Sequence, residues 1–82
     1  MHNKPAMTKY GNPGHESGVI AYSFTKTGII VLFKKGDYYL YDNESPGEVH
    51  VKRMKALAQK GSGLSTYISQ HVHNSYKQKW HQ

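Results

Sequence analysis

The first half of the chain contains three short segments with the hydrophobic patterns of β-strands. Residues 18–24 (GVIAYSF) alternate, residues 29–34 (IIVLFK) are apolar on both sides, and residues 37–42 (DYYLYD) form a third run rich in strand formers. Gly36 lies between the last two runs, where a tight hairpin needs a residue that tolerates positive φ. The pattern predicts an antiparallel three-stranded meander.

A four-residue spacing of hydrophobic positions replaces this alternation in the second half. The segment SPGE (45–48) fits a capping box, in which Ser45 is the N-cap and Glu48 reaches back to an open backbone donor. The helix that follows is predicted to stop at Gly61. A second amphipathic helix, ending near Lys79, is predicted from apolar residues four apart: Leu64, Ile68, Val72 and Tyr76.

These elements predict one α+β domain over residues 18–80, with both helices packed on one face of the meander. Residues 1–17 contain two prolines, two glycines and no apolar periodicity, which is typical of a flexible, disordered N-terminal tail. The chain has no cysteine, no signal-peptide pattern and no apolar run longer than five residues. We therefore expect no disulfide, no membrane span and a cytoplasmic location.

The excess positive charge lies in the C-terminal part of the chain. The formal net charge is +6, yet residues 1–48 contain five acidic residues against five lysines. Residues 49–82 contain no acidic residue and six basic ones: Lys52, Arg53, Lys55, Lys60, Lys77 and Lys79. This asymmetry favours a polyanionic partner, namely nucleic acid, an acidic protein surface or anionic lipid. The alternative is a basic surface that only keeps the protein soluble.

The tyrosines of the third predicted strand are the first candidate site. Alternation places Tyr39 and Tyr41 on the same face of the sheet. Unpaired nucleobases stack on such rings, and Lys34 and Lys35 in the adjacent hairpin could bind phosphate. The alternative is ordinary packing, in which each ring fills the small core and its hydroxyl reaches water. The pattern does not decide which face of the sheet the helices cover.

The basic face of the first helix is the second candidate site. Its members are Lys52, Arg53, Lys55 and Lys60, with Lys77 and Lys79 nearby if the two helices are antiparallel. Such residues bind phosphates without reading sequence, and the binding weakens with salt. Because the chain contains one arginine, a base-specific site of the guanine-reading type is not expected. The alternative is a lysine-rich helix face that contacts only solvent.

Histidines and acidic residues do not form a recognisable metal or catalytic site. His71 and His73 would project about 200° apart on a helix, so they cannot share a metal ion. His50 falls on the apolar side of the first helix, where a hydrogen-bonded core histidine is the simpler interpretation. No nucleophile–base pair or set of converging ligands can be read from the sequence. We expect no cofactor, no metal ion and no enzymatic activity.

Short motifs follow the predicted elements in a recognisable order. A glycine hairpin (Gly36) is followed by a Tyr-x-Tyr pair (Tyr39 and Tyr41) and by a proline that opens a helix (Pro46). An Ala-x-x-Gly-Ser segment (Ala58, Gly61 and Ser62) comes next, and then a last helix with apolar residues four apart (Leu64, Ile68 and Val72). From residue 18 to about residue 76 this order resembles the KTSC domain, found at the C-terminus of some lysyl-tRNA synthetases and as a stand-alone bacterial protein. Ser69 stands where that family tends to have an arginine. The resemblance implies the α+β fold and a suggested role in RNA binding.

The sequence therefore predicts a small non-enzymatic module that binds nucleic acid, with RNA favoured over duplex DNA. In this hypothesis the basic helix face holds the phosphate backbone, while Tyr39 and Tyr41 stack bases. The alternative is a protein–protein interaction module, such as a small inhibitor or adaptor that docks on an acidic partner. Membrane binding is disfavoured, because the apolar sides of both helices are needed for the core.

Overall fold

The structure, a computed structural model, describes residues 6–11 and 18–81 of the chain. Its elements in chain order are strands β1 (Thr8–Lys9), β2 (Val19–Phe24), β3 (Gly28–Phe33) and β4 (Asp37–Asp42), helix α1 (Glu48–Lys60), helix α2 (Leu64–Tyr67) continued by a π-helical segment (Ile68–Val72), and strand β5 (Gln78–His81). The strands form one antiparallel sheet in the order β1-β2-β3-β4-β5. The fold is α+β, but the prediction of a three-stranded meander is wrong, because each edge carries one more strand.

The three strands found from the sequence form the centre of the sheet. Ile29, Val31 and Leu32 of β3 are all buried, as expected for a strand that is apolar on both sides and has a neighbour on each edge. Gly36 takes a φ of 91° in the β3–β4 hairpin, and its N–H donates to the Phe33 carbonyl oxygen at 2.9 Å. The glycine is therefore needed there for its backbone conformation.

Strand β1 falls within the segment predicted to be a disordered tail, and that prediction is wrong for residues 6–11. Tyr10 follows the strand directly and is 1% exposed within the core. Its N–H donates to the Ile20 carbonyl oxygen at 3.0 Å, and its hydroxyl accepts a bond from the Leu64 N–H at 3.1 Å. One buried aromatic ring thus anchors a segment that has no hydrophobic periodicity. The rest of the predicted tail lies outside the described residues.

The second predicted helix ends at Val72, seven residues before its predicted end near Lys79. Its buried side is as expected: Leu64, Ile68 and Val72. After these residues the chain turns, and the Ser75 N–H donates to a carbonyl oxygen of the π-helical segment at 2.8 Å. The Lys77 N–H then donates to the Leu40 carbonyl oxygen at 2.7 Å, and β5 begins beside β4. Tyr76 keeps the four-residue spacing but lies outside the helix, in the connection that precedes β5, so the prediction of a helix that reaches Lys79 is wrong.

Helix α1 ends where it was predicted to end but begins differently. Gly61 adopts a left-handed φ of 82°, and its N–H donates to carbonyl oxygens of the last turn. The helix begins at Glu48 after Gly47, and no side chain caps it, so the predicted capping box is wrong. The Ser45 hydroxyl instead donates to the Ser75 carbonyl oxygen at 2.8 Å and links two distant loops. None of the described helices is long and apolar enough to cross a membrane.

Both helices pack on the same face of the sheet. The main cluster of buried residues joins β1–β4 to the helices and comprises Tyr10, Val19, Ile29, Val31, Tyr41, Met54, Ala58, Leu64, Ile68 and Val72. The opposite face of the sheet carries Tyr38, which is 4% exposed because its ring stacks on Trp80 of β5 at a centroid distance of 5.3 Å. The sheet therefore covers part of its open face with its own aromatic pair.

Candidate functional site

Tyr39 of β4 lies at the centre of an aromatic cluster at the rim of the core. Its half-buried ring meets Phe33 edge-on at a centroid distance of 5.1 Å and Tyr76 edge-on at 5.1 Å. The Tyr41 ring lies nearly parallel to it at 6.3 Å, on its core side. The cluster exists because alternation sends Tyr39 and Tyr41 to the helix side of the sheet. Packing against three rings fixes the position of Tyr39.

A cation from β5 lies against this cluster. The antiparallel register places Lys79 directly opposite Tyr39, and its Nζ atom lies 5.3 Å from the centre of the Tyr39 ring. This distance is within the range of a cation–π interaction. A hydrogen-bonding interaction with the Tyr39 hydroxyl, more than any other cause, raises the pKa of Lys79. Lys79 therefore stays charged beside the aromatic rings throughout the physiological range of pH.

A cleft of about 410 Å³ opens beside Tyr39, between the sheet and the helical segment of residues 64–72. We call it the aromatic cleft. Its walls combine aromatic rings with hydroxyl, amide, imidazole and ammonium groups: Phe33, Tyr39, Tyr41, Ser65, Ile68, Ser69, His73, Asn74, Tyr76 and Lys79. Ligand pockets in proteins typically measure roughly 300–1,000 Å³, so this cleft is large enough for a small ring compound.

A second depression, of about 330 Å³, lies on the other side of Tyr39. We call it the lysine depression, because two exposed lysines of the β3–β4 hairpin contribute to it. Its walls are Gly18, Phe33, Lys34, Lys35, Asp37 and Tyr39. The Lys34 N–H donates to the Gly18 carbonyl oxygen at 2.8 Å, which holds the hairpin against the start of β2. The two hollows share Phe33 and Tyr39 as a common wall.

The carboxylate in the lysine depression is already engaged by a partner. Asp37 lies opposite His81 across the β4–β5 pair, and its Oδ1 atom is 2.6 Å from His81 Nδ1. The hydrogen bond from His81 lowers the pKa of Asp37, with smaller contributions from Lys79, His81 and Lys35 through their charges. Asp37 is therefore ionised but surrounded by basic groups, which reduces its repulsion of an incoming anion.

Four of the predicted site residues lie at the two hollows, but one of them, Tyr41, is buried. Tyr39, Lys34 and Lys35 line the two hollows. Tyr41 is 1% exposed and belongs to the core, so its ring is not accessible for stacking. The prediction that Tyr41 stacks a base is thus wrong. The physical reason is that the face holding both tyrosines is the one the helices cover, and only its rim remains open.

The basic residues of α1 lie on a separate part of the surface. Lys55 extends over the ring of Phe24 in β2, with its Nζ atom 5.3 Å from the ring centre, whereas Tyr39 is in β4. Lys52 pairs with Glu48 one turn earlier at 3.3 Å, and both side chains are exposed. Arg53 and Lys60 are also exposed. The structure therefore does not combine the helix cations with the tyrosine into one site.

Lys77 is separated from α1 and engaged elsewhere. Its Nζ atom lies 2.5 Å from a carboxylate oxygen of Glu44 in the loop after β4. The hydrogen bond to Glu44 raises the pKa of Lys77. An exposed pair of this type contributes little to stability, because solvent screens the two charges. The pair nevertheless neutralises a charge that was predicted to contact phosphate.

Sequence reasoning missed several residues of the aromatic cleft. The sequence predicts Phe33 in a strand, Tyr76 in a helix and Lys79 near the end of that helix, but it does not indicate that the three residues line one cleft. The segment of residues 78–81 (QKWH) did contain a signal, since a strand-forming Trp80 alternates with polar neighbours. Four residues are too short a run to separate this pattern from a helix end.

The histidines of the helices form a small cluster of their own. His50 is half-buried and its Nδ1 atom lies 2.6 Å from the Tyr67 hydroxyl. The His71 ring packs on Tyr67 at a centroid distance of 4.6 Å. Among residues 6–11 and 18–81, no group of three or more histidine or carboxylate side chains could hold a metal ion. The arrangement is therefore described by packing and hydrogen bonding between α1 and the following helical segment.

Comparison with known proteins found no protein-family model, no curated protein and no solved structure that matches this chain.

Proposed function

We propose that this protein is a small non-enzymatic module that binds single-stranded nucleic acid, with RNA favoured, through the aromatic cleft and the lysines around it. The observation that carries the proposal is the position of Tyr39. Its half-buried ring forms the wall between a cleft lined by other aromatic side chains and a depression lined by Lys34 and Lys35, with Lys79 against the ring. Stacking and phosphate-binding groups are thus adjacent.

The chemistry of these groups suits an unpaired strand. Stacking of a base on an aromatic side chain contributes about 1–3 kcal/mol and tolerates any base. Lysines bind phosphates as point charges, so they add affinity without sequence specificity. A base within a duplex cannot enter a cleft between a sheet and a helix, because its faces are stacked on neighbouring bases. The cleft therefore favours single strands over duplex DNA.

The basic face of α1 has a supporting role in this proposal. Lys52, Arg53, Lys55 and Lys60 would attract the phosphate backbone from outside the cleft, with a strong dependence on salt. The resemblance to the KTSC domain, for which RNA binding has been suggested, supports the same class of ligand. The absence of cysteine from the chain suits the reducing cytoplasm, where such a ligand is available.

Titration of the full chain with a fluorescently labelled single-stranded RNA at low and moderate salt tests the proposal. We expect binding at low salt. The double variant Lys34→Ala/Lys35→Ala should weaken it and reduce the slope of log K against log salt by about 1.4, since each lost phosphate contact on a single strand is worth about 0.7. The matched control is Lys9→Ala/Lys26→Ala, which removes two exposed lysines that line neither hollow.

Two results would contradict the proposal. One is no binding to RNA at low salt. The other is an equal loss of affinity in the cleft variant and in the control, because this would indicate attraction by net charge alone. Isolation of one stoichiometric protein partner that survives nuclease treatment, without RNA binding, would instead establish the protein-interaction alternative.

A further inference from the structure

The aromatic cleft and the lysine depression differ in chemistry but share a wall. Phe33 and Tyr39 belong to both hollows. On one side of this wall lie Tyr76 and the hydroxyl and amide groups of the helical segment, and on the other lie the two lysines of the hairpin. A ligand that crosses the wall would thus meet an aromatic, hydrogen-bonding environment at one end and a cationic one at the other.

From this juxtaposition we propose that the two hollows are the base and phosphate subsites of a site for one nucleotide. The proposal rests on the proposed function and specifies its minimal ligand. The base occupies the aromatic cleft beside Tyr39 and Tyr76, and the 5′-phosphate or 3′-phosphate of the same nucleotide lies between Lys34 and Lys35. The required ligand is then a nucleoside monophosphate unit, whether free or within an RNA strand.

The polar lining of the aromatic cleft suits a base better than an apolar ring. Ser65, Ser69 and Asn74 offer hydroxyl and amide groups that can donate and accept hydrogen bonds at the edge of a base. An amide and hydroxyls adapt to different donor and acceptor patterns, so we expect weak preference among the four bases. The aromatic rings provide the stacking surface, and their mutual edge-on contacts hold them in place before binding.

Two features of the lysine depression suit a phosphate: a glycine in its wall and an excess of positive charge. Gly18 forms part of the wall and places no side chain in the hollow. The Asp37 carboxylate is engaged by His81, whose Nδ1 atom lies 2.6 Å from Asp37 Oδ1. Two lysines against one carboxylate leave the depression with an excess of positive charge, which favours an anion.

Weak binding of free nucleotides tests the proposal directly. The full chain is titrated with adenosine 5′-monophosphate, adenosine and inorganic phosphate, and binding is followed through backbone amide shifts in NMR spectra. We expect the monophosphate to bind about tenfold more tightly than adenosine, which corresponds to about 1.4 kcal/mol, because only the monophosphate makes charge-assisted contacts with the lysines. Inorganic phosphate should bind more weakly than the monophosphate, because it lacks the base. Shifts should include residues 33–39.

Two variants separate the subsites. Lys34→Ala/Lys35→Ala should remove the advantage of the monophosphate over adenosine and leave adenosine binding unchanged. Ser69→Trp places a large ring in the aromatic cleft from an exposed position of the helical segment, and should abolish binding of both. Far-UV circular dichroism and the unfolding midpoint confirm that each variant is folded, and Lys9→Ala/Lys26→Ala again serves as control.

The outcomes distinguish this inference from the proposed function. If RNA binds but the monophosphate does not, even at millimolar concentration, the one-nucleotide site is wrong and the function persists through other surfaces. If inorganic phosphate binds as tightly as the monophosphate, the aromatic cleft is not a base subsite. If RNA itself does not bind at low salt, the proposed function fails first and the inference fails with it.

Discussion

The most direct test of the fold is removal of one oxygen atom, in the substitution Tyr10→Phe. The Tyr10 hydroxyl accepts a hydrogen bond from the Leu64 N–H at 3.1 Å, and both residues are at most 1% exposed. Leu64 is the first residue of α2, so its N–H has no partner within the helix. The substitution keeps the ring and leaves this buried donor without a partner. It therefore isolates the link between the N-terminal segment and the start of α2.

The expected loss can be estimated from the geometry. A buried donor left without its partner costs about 1–3 kcal/mol. In urea, a domain of this size has an m-value near the lower end of about 1–3 kcal/mol/M, so the unfolding midpoint should fall by about 1–3 M. The more severe Tyr10→Ala also removes the ring and should cost about 3–5 kcal/mol. That is a large part of the roughly 4–12 kcal/mol expected for a chain of this length, so this variant can unfold altogether.

The assay is equilibrium urea unfolding followed by circular dichroism, with Tyr22→Phe as the matched control. Tyr22 is half-buried, and its hydroxyl has no hydrogen-bond partner in the part of the chain that the structure describes. Its loss should change the free energy of unfolding by less than about 0.5 kcal/mol. Equal midpoints for the Tyr10→Phe variant and this control would refute the docking of the N-terminal segment, as would unchanged stability after deletion of residues 1–11.

Two further predictions concern the centre and the edge of the sheet. In Gly28→Ala, the new Cβ atom would lie 2.1 Å from a carbonyl oxygen of β4, so the two strands must separate. We expect the free energy of unfolding, measured by thermal unfolding, to fall by about 1–3 kcal/mol or more. In the control Gly18→Ala, the new Cβ atom would lie 3.6 Å from a Phe33 ring atom, an ordinary contact, and stability should be nearly unchanged. The hydrogen bond from His81 lowers the pKa of Asp37, so the pair stabilises the fold above the ordinary pKa of 3.8 and this contribution is lost as pH falls through the lower folded value. NMR titration should give an Asp37 midpoint below 3.8 that rises in His81→Ala but not in His73→Ala; an unchanged midpoint in His81→Ala would show that the contact is not formed in solution.

The elements that could be predicted from the sequence are those with a repeated local signal. The three central strands each contain six residues, and β3 is apolar on both sides because it has a neighbour on each edge. The end of α1 was also predictable, because Gly61 takes the left-handed conformation that glycine adopts without strain. In each case the residue type responds to its immediate backbone or to a periodic burial pattern.

The edges of the sheet could not be predicted, because their cause is not local. Strand β1 has two residues and β5 has four, too few for a pattern to emerge. Their positions depend on tertiary contacts, namely the burial of Tyr10 between sheet and helices and the stacking of Trp80 on Tyr38. The capping box failed for a related reason, since the Ser45 hydroxyl donates to a carbonyl oxygen 30 residues away and does not accept a bond from an N–H of the helix that follows it.

The same non-local pairing explains why the candidate site was only half visible in the sequence. Alternation divides the residues of β4 between two faces of the sheet but does not indicate which face the helices cover. The accessible Tyr39 at the rim therefore could not be distinguished from the buried Tyr41. The cation beside that rim comes from β5, whose register sets Lys79 opposite Tyr39. The strand that completes the sheet therefore also brings the charge to the aromatic cleft. The backbone hydrogen bonds between β4 and β5 hold both the edge of the sheet and the position of Lys79. Any change that detaches β5 should therefore remove Lys79 from the cleft before it affects the lysines of the β3–β4 hairpin.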